Sequence, residues 1–146
     1  MNGDIQRYAT LLHRAAAMWR VRLDNRLRPW GMTQTAWRAL WILRTDGHSY
    51  NQSELAARLG IESPTLVRII DRMQGMGLLE RVADPQDRRQ KRIAITPAGV
   101  SLAQEIEAEV TGLRQELLAD ATPEELAIGI RLLESIVAKA GGERPA

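Results

Sequence analysis

Residues 52–72, QSELAARLGIESPTLVRIIDR, restrict the possible folds more than any other stretch of the chain. Asn51-Gln52-Ser53-Glu54 has the form of a capping box, with Asn51 accepting from the Glu54 amide while the Glu54 side chain reaches back. The helix it opens carries Leu55, Ala56 and Leu59, with small Ala56 at the point where a second helix would cross. It stops at Gly60, which tolerates the positive φ that a tight corner needs. Ser63-Pro64 signals the next helix, a hydroxyl cap ahead of a proline at the first helical position. Ile61, Leu66 and Ile70 would close a shared core, leaving Ser63, Thr65, Arg68 and Arg72 on the outer side. Two readings fit: a helix-turn-helix that contacts nucleic acid, or a plain αα-hairpin with a glycine corner.

The next segment favours the first. Leu78 to Ala83 reads as a strand, 84–90 as a polar turn, and Lys91 to Ile95 as a second strand that alternates polar and apolar. Arg88, Arg89, Lys91 and Arg92 crowd the tip and its return. A protruding arginine tip suits the minor groove, where narrow DNA concentrates negative potential. Asp87 among them is placed to hold an arginine in one pose by a charge-assisted hydrogen bond. Short hydroxyls and arginines on the helix before it suit phosphates and base edges. Helix-turn-helix plus basic hairpin makes a winged helix; a solvated charged turn is the plainer alternative.

The flanks are helical. From Asp4 to about Arg28, apolar residues including Ile5, Tyr8, Leu11, Leu12, Met18, Trp19, Leu23 and Leu27 recur at helical spacing until Pro29. A helix of roughly 25 residues is about 37 Å long, more than one small core can cover, which predicts a partner chain. Thr33 caps a second helix that ends before Asp46-Gly47; Thr96-Pro97 opens a long helix and Thr122-Pro123 a last one, closed by Gly141-Gly142. Residues 1–50, 51–99 and 100–146 carry net charges of +5, +2 and −5. Every basic residue except Lys91 and Lys139 is arginine, which suits polyanion binding or reflects codon bias. With no cysteine, disulfides, thiolate metal sites and thiol redox chemistry are excluded. His13 and His48 stand far apart, so no metal or histidine-based catalytic site is expected. No apolar run reaches the roughly 18–20 residues of a membrane span, which predicts a cytoplasmic protein that needs no cofactor.

Three segments together, WRVRLDNRLRPWGMTQTAW (19–37), NQSELAARLGIESPTLVRIIDRMQGMGLLER (51–81) and DPQDRRQKRIAITPAG (84–99), resemble the MarR family of winged helix-turn-helix regulators, and within it the SlyA branch. Asp87 and Arg89 match the family's Asp-x-Arg wing signature. The resemblance implies a mainly α fold with a small β-wing, in the order of four helices, two strands and two helices. It implies one domain over 1–146, a DNA-binding lobe over 33–99, and dimerisation helices over 4–30 and 97–140. It further implies a homodimeric repressor on near-palindromic double-stranded DNA, with half-sites about 34 Å apart. Carried over by position, Ser63, Pro64, Thr65, Arg68 and Arg72 belong to the recognition helix in the major groove. Arg88, Arg89 and Lys91 belong to the wing in the minor groove, with Arg88 entering the groove and Asp87 steadying the wing by pairing with Arg89.

All four tryptophans fall between Trp19 and Trp41. An aromatic wall with the guanidinium of Arg20 and the hydroxyl of Thr35 would suit a small aromatic anion; the alternative is that a chain without Phe uses Trp as core. By resemblance to the SlyA branch, Arg20, Thr35 and Trp37 match positions that line a salicylate pocket, with Trp19 beside them. Ala15-Ala16-Ala17 stands where SlyA-like chains often carry a further arginine, which implies looser anion binding or a larger pocket. A winged helix used only for protein contacts is the competing function; burying so many arginines at a dry interface argues against it. An enzyme is disfavoured, because Glu105, Glu107 and Glu109 read as a solvated helix face and no nucleophile–base pairing is evident.

Overall fold

The first helix, α1 (Asn2–Leu27), buries only Leu23 and Leu27. Ile5, Leu11, Met18 and Val21, on the same helix, are exposed. The structure, a computed structural model, describes residues 1–141, so the Gly142 half of the expected closing Gly141-Gly142 pair lies outside the described residues. After a short 3₁₀ turn at Arg28–Trp30, α2 (Gln34–Thr45) starts at Thr33, whose hydroxyl accepts from the Ala36 amide at 3.2 Å. β1 (Tyr50–Asn51) leads directly into α3 (Gln52–Leu59), and α4 (Ser63–Gly75) follows. β2 (Leu79–Ala83) and β3 (Lys91–Ile95) form the hairpin, then come α5 (Pro97–Leu117) and α6 (Pro123–Ala140). The fold is mainly α with a small antiparallel sheet in the order β1-β3-β2.

The described residues form two compact units, Met1–Leu113 and the stretch from Arg114 onward. The first holds one core, built from Leu40 of α2, Leu55 of α3, Leu66 and Ile70 of α4, and Ile106 and Leu113 of α5, each 0% exposed. Each such aliphatic side chain contributes about 1.5–3 kcal/mol over leaving it in water. The corner between α3 and α4 is a glycine-closed Schellman turn: Gly60 has φ of +69°, and the Ile61 amide donates to the Ala56 carbonyl at 3.1 Å. In the second unit α6 opens with a complete capping box, Thr122 and Glu125 each accepting the other's amide at 3.1 Å. Ile128, Leu132, Leu133 and Val137 of α6 are exposed.

Three local expectations change. The two-residue β1 carries no periodic signal, and exists because Tyr50 and Asn51 find partners at Ile93 and Arg92 of β3. Asn51 does cap α3, accepting from the Glu54 amide at 2.8 Å, but the Glu54 carboxylate goes to Arg92 rather than back to Asn51. The cap of α4 is Glu62, not Ser63: the first helical bond, Leu66 amide to Glu62 carbonyl at 3.2 Å, starts one residue early and leaves Ser63 exposed.

Candidate nucleic-acid interface

Helix α4 is amphipathic by construction. Leu66, Ile70 and Met73 are buried, so Ser63, Pro64, Thr65, Arg68 and Arg72 are held on the outside. The wing turn exposes Asp87, Arg88, Arg89 and Lys91. Residues of the two elements border one cavity of about 440 Å³, where Val67 of α4 faces Gln52 and Ser53 of α3 and Arg89 and Lys91 of the wing. Arg68 and Arg72 border a second, of about 200 Å³, against Gly31, Met32 and Thr33. Arg72 leans back: an added Cβ on Gly31 would lie 3.1 Å from its guanidinium.

The arginines divide by partner. Arg26 and Arg44 pair with Glu109 and Glu107 of α5, Arg58 with Asp46, Arg81 with Asp71, and Arg92 with Asp84 and Glu54. Arg68, Arg72, Arg88, Arg89 and Lys91 make no ion pair among the described residues. An exposed, unpaired guanidinium keeps its full charge and all its donors for a phosphate or a guanine edge.

The wing turn is ordered by its own carboxylates. Asp87 accepts from the Arg89 backbone amide at 3.0 Å, so the expected pairing of these two residues runs to the main chain and leaves the Arg89 guanidinium free of it. An Asx turn reaches the amide two residues on, whereas the long Arg89 side chain is exposed to solvent. Arg92, grouped with the tip cations by sequence, faces inward instead. Its donors reach Asp84 at 3.1 Å, the Ser49 carbonyl at 2.9 Å and Glu54 at 3.1 Å.

Asp84 itself is buried, 7% exposed, and accepts from the Gln86 amide at 2.9 Å. That amide above all, then Arg92, holds its carboxyl below the ordinary value despite burial. On the other flank, Arg81 donates to Gln52 at 3.0 Å, Gln74 at 2.6 Å and Asp71 at 2.7 Å, tying β2 to both helices of the helix-turn-helix. Sequence reasoning missed Asp84, Arg92 and Arg81 as organisers. The available signal was Asp84 and Arg92 bracketing the turn, where register sets Arg92 beside Val82 on the opposite strand. Tyr50, buried at the sheet edge, donates its hydroxyl to Asp46, and this bond raises its pKa first, burial second.

The aromatic residues are less convergent. Trp37 is 5% exposed in the core, Trp19 and Thr35 are half-buried, and Arg20 is exposed without an ion pair among the described residues. Trp37 and Trp41 lie 6.4 Å apart between ring centres, tilted by 40°. The Trp37 indole N–H is buried and meets no acceptor among the described residues, an arrangement that native interiors rarely leave unexplained. Among the described residues no group of acidic, histidine or cysteine side chains is placed to hold a metal, and no helix is long and apolar enough to cross a membrane.

The sequence model of the MarR family matches residues 32–91. Among solved structures, the chain is similar to the transcriptional regulator PA3341, with 35% identity and a TM-score of 0.82 over 93% of this chain and 99% of that one. It is also similar to wild-type apo MarR from E. coli, with 25% identity and a TM-score of 0.76 over 88% and 96% of the two chains. A mutant MarR from E. coli complexed with operator DNA aligns with 25% identity and a TM-score of 0.80, over 92% of this chain and 96% of that one.

Proposed function

From the premise that this chain belongs to the MarR family, we propose that it is a sequence-specific double-stranded DNA-binding transcriptional regulator, not an enzyme, working as a cytoplasmic homodimeric repressor of the SlyA branch. The observation that carries the DNA-binding reading is the set of exposed cations on α4 and the wing that have no carboxylate partner among the described residues, in a chain that pairs Arg44, Arg58, Arg81 and Arg92 elsewhere. Ser63, Pro64, Thr65, Arg68 and Arg72 are assigned to the major groove, and Arg88, Arg89 and Lys91 to the minor groove, with Asp87 ordering the turn. Residues 33–99 form the DNA-binding lobe of a single domain. The segments 4–30 and 97–140 serve dimerisation, a reading supported by the exposed apolar residues of α1 and α6. The repressor sign and the SlyA branch rest on the sequence resemblance alone.

The same reading places a small aromatic carboxylate or phenol at Trp19, Arg20, Thr35 and Trp37, releasing the protein from DNA. Its support is the orphaned Trp37 N–H, for which an effector oxygen would be the missing acceptor. A tryptophan-emission titration with several aromatic acids tests it; no saturable change with any of them removes this site but not the DNA-binding role.

Fluorescence anisotropy on duplex DNA from upstream of the chain's own gene, against a shuffled duplex and at two salt concentrations, tests the main proposal. Preference of about a hundredfold or more, one dimer per site and a steep salt slope are expected. Absence of binding to either duplex, even at low salt, would leave the winged helix as a protein-contact module.

A further inference from the structure

The contacts of Arg92 single it out from the other cations of the wing. Its side chain donates at once to three separate parts of the lobe: the Asp84 carboxylate at the start of the turn, the Ser49 carbonyl ahead of β1, and Glu54 in the first turn of α3. The same turn of α3 holds the wing a second time, through Asn51 donating to Gln90 at 3.1 Å. It also holds the recognition helix, through Gln52 and Arg81 to Asp71 and Gln74. The first turn of α3 is thus the common support of two elements that otherwise belong to different parts of the chain.

We propose that Arg92 is a positioning residue for DNA binding: by joining Asp84 to Glu54 and Ser49 it fixes the wing on α3, so that Arg88 and Arg89 are presented at a set height relative to α4. This rests on the DNA-binding reading above. The physical reason is the entropy of a seven-residue turn whose tip is exposed. A tip ordered before binding loses less freedom when it enters the groove. Without Arg92, the buried Asp84 carboxylate is left with no cation, and the hairpin relieves that by opening locally. The Gln86 amide and the Arg92 guanidinium both favour the charged form of Asp84, in keeping with a latch built around an ionised carboxylate.

The test is a double-mutant cycle on operator DNA, comparing Arg92→Gln in the otherwise unaltered protein and in a protein that already carries Arg88→Ala and Arg89→Ala. If Arg92 acts through the wing tip, the substitution weakens binding about fivefold or more in the first background and less than about twofold in the second. Arg92→Lys should restore part of the affinity, and Glu54→Gln, which removes one acceptor only, should show the same pattern at smaller size. Amide exchange over residues 84–90 should speed up in Arg92→Gln while that of α4 is unchanged. Equal losses in both backgrounds would mean that Arg92 supports the fold generally, and no loss in either would mean that it supports nothing relevant to DNA; each overturns the inference. Failure of the unaltered protein to bind DNA overturns the parent reading, and this one with it.

Discussion

Replacing Gly99 by alanine probes how closely α5 is set against the base of the wing. Gly99 is buried in the first turn of α5, where its amide donates to the Thr96 hydroxyl at 3.0 Å. An alanine Cβ there would lie 2.3 Å from the Leu78 carbonyl oxygen and 2.7 Å from the Ile95 Cγ1. That oxygen is held in place, since it accepts from the Thr96 amide at 3.0 Å. Restoring an ordinary C···O separation of about 3.3 Å requires the helix to retreat by roughly 1 Å. Overpacking of this kind costs about 1–3 kcal/mol, and the gain from alanine's helix propensity offsets about 1 kcal/mol of it.

Gly112 lies in the same helix with nothing within 4 Å of its added Cβ, so the propensity gain stands alone there. Gly99→Ala is therefore expected to lower stability by up to about 2 kcal/mol and Gly112→Ala to raise it by up to about 1 kcal/mol. For a chain of this size, those changes move Tm down by up to roughly 8 °C and up by up to roughly 4 °C. Thermal and urea unfolding at one fixed protein concentration reads both, because any self-association makes Tm depend on concentration. Stabilisation by Gly99→Ala, or shifts of the same sign in both variants, would refute the close seating of α5 on Leu78.

Other expectations follow from the same contacts. Arg68→Ala should cost about 1–3 kcal/mol of operator affinity and relax base preference, whereas Arg88→Ala should weaken binding to all duplexes alike and reduce the salt slope by about 1; anisotropy over a salt series separates the two. Leu66→Ala, at a position 0% exposed in α4, should destabilise by about 2–5 kcal/mol in urea unfolding. The Asp84 carboxyl is held below its ordinary 3.8, so its stabilising contribution is present above that pH and lost as pH falls through the lower folded value. Unfolding midpoints of Asp84→Asn should therefore lack the part of the acid-side decline that the unaltered protein shows, and identical profiles would mean that Asp84 adds nothing.

Much of this protein could be read without coordinates, and the readable part shares one physical character. Thr33, Asn51, Thr96 and Thr122 all accept amide hydrogens three residues on, Gly60 closes the corner of the helix-turn-helix, and β3 spans Lys91–Ile95 as its alternation predicts. These features depend on spacings of two to four residues along one chain, where backbone geometry leaves few options. The amphipathic face of α4 is of the same kind: once Leu66, Ile70 and Met73 are buried, the outward position of Thr65 and Arg68 is a consequence of 3.6 residues per turn.

What the sequence could not decide was the choice among several acceptors by a long side chain. Glu54 had a local partner at its own helix start and an arginine 38 positions away, and it is joined to Arg92. Arg92 looked like one more cation for the groove until the pairing of β1 with β3 brought Ser49, Glu54 and Asp84 around it. Trp19, Trp37 and Trp41 lie on α1 and α2 while Trp30 falls in the 3₁₀ turn between them, and only packing could show that Trp37 is enclosed with a donor unmet among the described residues while Trp41 is 40% exposed. Composition, periodicity and capping thus determined which helices and which two hairpin strands form, though not β1, and which face α4 turns outward. Tertiary structure alone decided which charges neutralise each other and which stay open, because that depends on distances of about 3 Å between residues far apart in the chain.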